Sequence, residues 1–310
     1  KMARRRLLTG DERRRLFDPP VQETAIIGHY TLSAEDVELV GRRYGPANRL
    51  GLAAQIALMR HPGFGLQPEI GLPDVILQYL AAQLFVDPSS FSAYGQRAQT
   101  RTDHADLVAR YLGIRPFRRG DLALALNLAA QAAEYTDRGE PIVRALMVGL
   151  KGERFILPSG DTLERAGLAG RARARKAAAA AIVEGLSSAE LTRLDELVIN
   201  NPDFGMTPLA WLRNFEEAPT AANINGLLER LRYVRGIGIH PVVGGAIPEF
   251  RFAQFVREGG VAPAFLLSDY SVNRRRATLT AAVIDLEARL ADAAIQMFDR
   301  LIGGMFTRAR

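Results

Sequence analysis

The sequence predicts an all-α, multi-helical fold, with tandem helix-turn-helix-like units and a long C-terminal helix. Apolar residues recur at three- and four-residue spacing through most of the chain. Ser, Thr and Gly-Pro pairs stand where these runs begin, as helix caps do. No stretch reads as a convincing strand, and Phe155–Pro158 reads only as extended chain. At 310 residues the chain is too long for one compact helical domain. Four regions are expected: helical units at 2–85 and 86–158, a basic helical region at 159–245, and a linker with the long helix at 246–310.

Each element has a local reason. Arg4-Arg5-Arg6 forms a basic arm, and Thr9 with Glu12 makes a capping box for a helix carrying Arg13-Arg14-Arg15. Pro19-Pro20 breaks that helix, and a short one spans Glu23–His29. Ser33 caps the next, with Val37, Leu39 and Val40 as its apolar contacts. After a turn at Tyr44-Gly45, Gly45 is the N-cap and Pro46 the first residue of another helix. Leu50, Ala53, Ala54, Ala57 and Leu58 form its apolar stripe, with Asn48, Arg49 and Gln55 off it. This is the outline of a helix-turn-helix, and equally of a tight helical hairpin in a core. In the first reading Asn48 and Arg49 reach base edges, because Asn pairs bidentately with adenine and Arg with guanine.

A loop is expected at 61–68, then a helix over Asp74–Phe85 with Val75, Leu77, Leu80, Ala81 and Leu84 facing inward. Tyr94–Arg101 repeats the earlier outline: a short helix, a Gly-containing turn, and a helix with Gln96 and Arg97 at its start. Asp121–Tyr135 is apolar all round and is expected to be buried; Pro141–Leu150 follows as a helix. The helix opened by Thr162 turns basic at Arg171, Arg173, Arg175 and Lys176. Those positions do not share one face, which suits a phosphate-tracking surface or a solvated helix. Ser187 and Glu190 cap Leu191–Val198, Trp211 anchors Pro208–Phe215, and Asn223–Val234 is amphipathic. Gly236–Pro248 is irregular, and Gly259-Gly260 is expected to end a helix over Phe250–Glu258. The last helix runs from Asn273 to about Ile302 on a stripe of Leu279, Val283, Leu286, Leu290, Ala294, Met297, Phe298 and Leu301. Its apolar face exceeds what an end-piece needs, so the chain is expected to belong to a larger protein or assembly, with Met2 as the native start.

Composition narrows the function classes. Hydrophobic residues make up 48% of the chain, enough for a sizeable core, and the formal net charge is +6. The cations are nearly all Arg, and the only lysines are Lys1, Lys151 and Lys176. With a pI near 9.9 this favours an acidic partner, nucleic acid first. Cysteine is absent, which excludes disulfides and thiolate zinc sites and fits a reducing cytoplasm. No apolar run approaches a membrane span, and no signal peptide opens the chain.

An active site is not legible. His29, His61, His104 and His240 lack metal-ligand spacing, and Asp103-His104-Ala105-Asp106 reads as a surface cluster. There is no Gly-x-Ser-x-Gly, no phosphate-binding loop and no Cys nucleophile. No catalytic residue, metal, cofactor or small-molecule substrate is expected in this chain.

Several stretches together resemble one family. GPANRLGLAAQIALMRHPG (45–63), YGQRAQTRTDH (94–104), ILPSGDTLER (156–165) and RRATLTAAVIDLEARLADAAIQMFDRLIG (275–303), with HYTLS (29–33), are similar in order to the N-terminal region of replicative transposases of the Tn-three family. The resemblance implies helical DNA-binding domains that hold the transposon's terminal inverted repeats. It also implies an RNase H-like catalytic domain with three acidic, divalent-metal ligands beyond Arg310, so no carboxylate here takes that role. The implied partner is double-stranded DNA, with a homodimer as a further possibility and the bacterial nucleoid as the location.

Residue chemistry then nominates contacts. Asn48, Arg49, Gln55, Gln96 and Arg97 are the base-reading candidates. Arg4, Arg5, Arg6, Arg13, Arg14, Arg42, Arg43, Arg101, Arg171, Arg173, Arg175 and Lys176 are the phosphate candidates. The alternative is a helical dimerisation or assembly module with only non-specific affinity for DNA.

Overall fold

Caps set the helix starts. Thr9 Oγ1 accepts the Glu12 N–H (3.2 Å) while the Glu12 carboxylate accepts the Thr9 N–H (2.7 Å). Ser33 with Asp36 and Ser187 with Glu190 do the same. The computed structural model describes residues 6–66, 72–216 and 218–309. It divides into two compact units, Lys1–Arg171 and Ala172–Arg310.

The first unit begins with helices α1 (Gly10–Phe17), α2 (Glu23–Tyr30), α3 (Ala34–Gly41), α4 (Pro46–Arg60) and α5 (Asp74–Leu84). A 3-10 turn at Pro88–Ala93 leads to α6 (Ala98–Leu112). Strand β1 (Arg115–Pro116), α7 (Leu122–Ala133), α8 (Gly139–Gly152), strand β2 (Phe155–Ile156) and the start of α9 (Gly160–Glu184) follow. The expected loop at 61–68 is described as far as residue 66.

Helix α4 is the axis of this unit. Ten consecutive residues, Leu50–Met59, are buried on it, where the apolar stripe predicted a helix buried on one face. Helices α2, α3, α5, α6 and the 3-10 turn all pack against it. Ile26, Tyr30, Val40, Ile76, Leu80 and Val108 join Leu50 and Ile56 in one core. Each such aliphatic side chain contributes roughly 1.5–3 kcal/mol by leaving water. This core draws residues from both sides of the boundary expected at 85/86. Under it, Asp36 is fully buried and accepts from Arg60 Nη2 (2.6 Å) and Tyr111 Oη (2.8 Å). Burial pushes this carboxyl up, but the hydrogen bonds from Arg60, Ser33 and Tyr111 outweigh it and hold it below the usual range.

Three expectations change here. Val75 is exposed and Ile76 takes the inward place, because the face of α5 that meets α4 carries Ile76 and Leu80. Helix α7 is not buried all round; it buries a stripe of small residues, Ala125, Ala129 and Ala133, and leaves Leu122 exposed. The extended Phe155-Ile156 pairs in parallel with Arg115-Pro116, a small sheet among the helices.

The second unit continues α9 and adds α10 (Ser188–Glu196), α11 (Pro208–Arg213), α12 (Ala221–Ile237), α13 (Glu249–Val261), α14 (Ala264–Ser268) and α15 (Val272–Ala309). Leu279, Val283, Leu286 and Leu290 of α15 meet Leu194, Leu212, Leu227 and Val234 in its main core. Helix α13 runs through Gly259-Gly260 instead of ending there. Gly259 faces the Thr278 carbonyl so closely that a Cβ would collide with it, so the glycine serves helix–helix contact and not termination. On α15, Phe298 leaves the expected stripe and is 56% exposed.

Candidate nucleic-acid interface

The segment 42–45 joins α3 to α4, with Gly45 as N-cap and Pro46 in the first turn, as the sequence predicts. Asn48 Nδ2 donates to the Tyr44 carbonyl (3.0 Å), and Arg49 Nε donates to the Arg43 carbonyl (3.0 Å). Both side chains thus brace the turn they follow. Arg49 stays exposed and Asn48 is half-buried. Arg42 is exposed and pairs with Glu38 (2.6 Å), while Arg43 is half-buried with its Nε lacking a hydrogen-bond partner among the described residues.

The second turn is fastened to the same helix. The Tyr94 ring lies on Gly51 of α4, where a Cβ would fall inside the ring. Gln55 Nε2 donates to Tyr94 Oη (2.9 Å) and to the Arg101 carbonyl (2.9 Å). The Tyr94 hydroxyl lies 3.1 Å from His104 Nδ1, and the two rings stack with centroids 5.6 Å apart. Since that hydroxyl accepts from Gln55, its own proton is left for a neutral His104. Burial pushes the His104 pKa down, Arg43 adds to this, and Asp103 opposes it.

These contacts correct two expectations. Gln55 is 2% exposed, so its amide bonds inside the protein and does not present to a base edge. His104 is buried and is no part of a surface cluster. Gly51 and Tyr94 are packing neighbours that residue-by-residue reading missed. Their signal was a glycine inside an otherwise well-formed helix, which marks a close approach.

The packing places the turn before α6 on the first half of α4. Arg42, Arg49, Gln96 and Arg97 are exposed around it. Arg101 turns inward and donates from Nη1 to the Gly95 carbonyl (2.8 Å).

The remaining cations differ in availability. Arg13 pairs with Glu164 and with Asp161 (3.0 Å), tying α1 to α9. Arg14 pairs with Asp11 on an exposed face, a kind of contact worth about 0–1 kcal/mol and readily exchanged for a phosphate. Arg171 donates to the Asp137 carbonyl (3.0 Å). Arg6, Arg173, Arg175 and Lys176 are exposed. Arg4 and Arg5 lie outside the described residues.

No group of three or more His, Asp or Glu among the described residues is arranged to hold a metal ion. No helix among the described residues is long and apolar enough to cross a membrane.

Residues 7–169 match the family model described as a domain of unknown function, DUF4158. The chain belongs to the DUF4158 family. Its relatives say where that domain occurs. The transposase for transposon Tn501 of Pseudomonas aeruginosa is 32% identical over 309 residues. The transposases for transposons Tn3926 and Tn21 of Escherichia coli are 33% and 32% identical over 309 and 310 residues. Each alignment covers 100% of this chain and 31% of the relative. The DUF4158 chain thus spans about a third of the length of the curated relatives it matches, and aligns at their N-terminal part. It is similar to the N-terminal part of these transposases, in keeping with the resemblance of the motifs at 45–63 and 94–104.

Proposed function

We propose that this chain recognises the terminal inverted repeats of a transposon and forms the non-catalytic, DNA-binding part of a replicative transposase. The observation that supports this most is the fastening of two Gly-containing turns to one helix. It sets Arg49 and, through the Tyr94 contact, Gln96 and Arg97 around a single rigid feature, with Asn48 half-exposed beside them. Base readers need such fixed placement, because a bidentate contact discriminates only when the side chain's position is set. Arg14, Arg42, Arg173, Arg175 and Lys176 supply phosphate contacts that add affinity without sequence information. Chemistry on DNA is left to the rest of the transposase.

Fluorescence anisotropy on the inverted repeat and on a scrambled duplex, at several salt concentrations, tests the reading. A preference of about a thousandfold is expected, as for specific DNA binders. Equal, steeply salt-dependent binding to both would sink it. Arg49→Ala should cost roughly 1–3 kcal/mol of preference for the repeat while changing scrambled-duplex affinity little. An equal loss on both duplexes would make Arg49 a phosphate contact.

A second reading, an assembly module, is favoured by α15. Ile295, Phe298 and Met305 are 62%, 56% and 60% exposed. With the half-buried Ile302 they follow a heptad seam that a second copy of the chain would complete. Sedimentation of wild type against Ile295→Glu/Phe298→Glu distinguishes it: a dimer that dissociates in the variant supports the seam, and a wild-type monomer rejects it.

A further inference from the structure

The parallel pairing of β1 with β2 gathers arginines from two distant parts of the chain. The Arg115 N–H donates to the Arg154 carbonyl (2.8 Å), and the register sets Arg115 opposite Phe155. Phe117 holds the following loop onto β2 by an edge contact with Phe155 (5.6 Å). Arg118 and Arg119 on that loop, and Arg154 on the facing turn, are exposed. Their side chains make no hydrogen bond or ion pair among the described residues. Asp121 hydrogen-bonds Arg115 (3.2 Å) and the Arg118 backbone N–H (2.8 Å) and also feels the charge of Arg118, while Arg119 and Arg154 have no such carboxylate hydrogen-bonded to them among the described residues.

Arg154 carries a second observation. Its backbone is left-handed, at φ 61°. Glycine adopts that conformation without strain and a side chain does not. A strained backbone that keeps a long, exposed, unpaired side chain points to a use for the side chain.

We propose that Arg118, Arg119 and Arg154 form a docking surface for the phosphodiester backbone of double-stranded DNA. The proposal rests on the DNA-binding reading above and adds a contact that no motif suggested. Phosphate is the ligand that fits. The surface offers guanidinium forks without an apolar centre, since Phe117 is turned onto Phe155, whereas a protein partner needs a desolvated apolar core. Arg115 is not part of the docking set, because it lies over the Phe155 ring (3.8 Å) and pairs with Asp121.

The test is a salt series of anisotropy titrations on the full chain, wild type against Arg118→Ala/Arg119→Ala/Arg154→Gly, with the repeat and a scrambled duplex. The slope of log affinity against log salt should become shallower by about 0.9 for each lost contact, ~2.7 for all three. Affinity should fall by the same factor on both duplexes, leaving the preference unchanged. An unchanged slope in a folded variant overturns the proposal, and the patch then reads as a site for an acidic protein. Should the wild type bind both duplexes equally while the variant's slope still drops, inverted-repeat recognition fails and the docking surface stands. No DNA binding by the wild type overturns both. Arg154→Gly alone guards against misfolding, because glycine suits that backbone; its expected change is about 0.9.

Discussion

Gly51 shows how one residue without a side chain decides an interface. The Tyr94 ring occupies the space a Cβ would need, and Gln55, one turn further along α4, fixes the Tyr94 hydroxyl. Gly51→Ala is therefore expected to lower stability by about 1–3 kcal/mol through overpacking, despite alanine's better helix propensity. A urea midpoint equal to or above wild type would show that Tyr94 yields easily. His61 gives a second prediction at this scale. Its ring stacks on His29 with centroids 3.7 Å apart, and its pKa is lowered to about 4 by burial, by His29 and by Lys151. The folded state stays neutral where the unfolded chain, with an ordinary pKa of about 6.5, binds a proton. The stability this contributes is complete above about pH 6.5 and is lost as pH falls toward 4. Urea midpoints at pH 7.5 and pH 4.5 should fall less in His61→Gln than in wild type; parallel falls would refute the assignment.

At the scale of elements, the arginines of α1 separate by partner and not by position. Arg13 reaches Glu164, whose side chain is 7% exposed, and holds α1 against the start of α9. Arg13→Ala should destabilise the fold by leaving a buried carboxylate unpaired, with the salt slope of DNA binding unchanged. A shallower slope at unchanged stability would return Arg13 to the phosphate contacts. Most caps were legible: Thr9, Ser33 and Ser187 stand where sequence reading sets them, because their cap is a bond over three residues, and Gly45 with Pro46 marks its helix start, but α9 begins at Gly160 with Thr162 bonded back to Ser159 and not at Thr162. The end of α13 was not legible. Gly259 has the form of a terminator, and only the neighbouring Thr278 carbonyl shows why a glycine is required in the last turn, before the helix ends at Val261.

For the whole molecule, the two units can be followed separately, since Trp211 is the single tryptophan and lies in the second. Removing residues 272–310 withdraws Leu279, Val283, Leu286 and Leu290 from that unit's core. Trp211, now stacked on Phe204 (4.4 Å), should then shift its emission to the red, while far-UV dichroism keeps the helices of the first unit. An unshifted emission would mean that α15 is dispensable to the second core. This also makes truncation a poor probe of dimerisation, and surface substitutions on α15 the better one.

The sequence alone determined the helical class, the positions of most caps, the basic character and the transposase resemblance. Each rests on residue type and short spacing, which survive without knowing the neighbours. The tertiary structure decided which polar residues of those helices are outside. Gln55 lies where a one-sided stripe would leave water, yet α4 is buried all round from Leu50 to Met59 and the amide bonds to Tyr94 and Arg101, 39 and 46 residues away. Arg154 reaches the loop of Arg118 and Arg119 only because two short strands pair across two helices. Burial and juxtaposition are properties of chain closure, which short-range spacing does not encode.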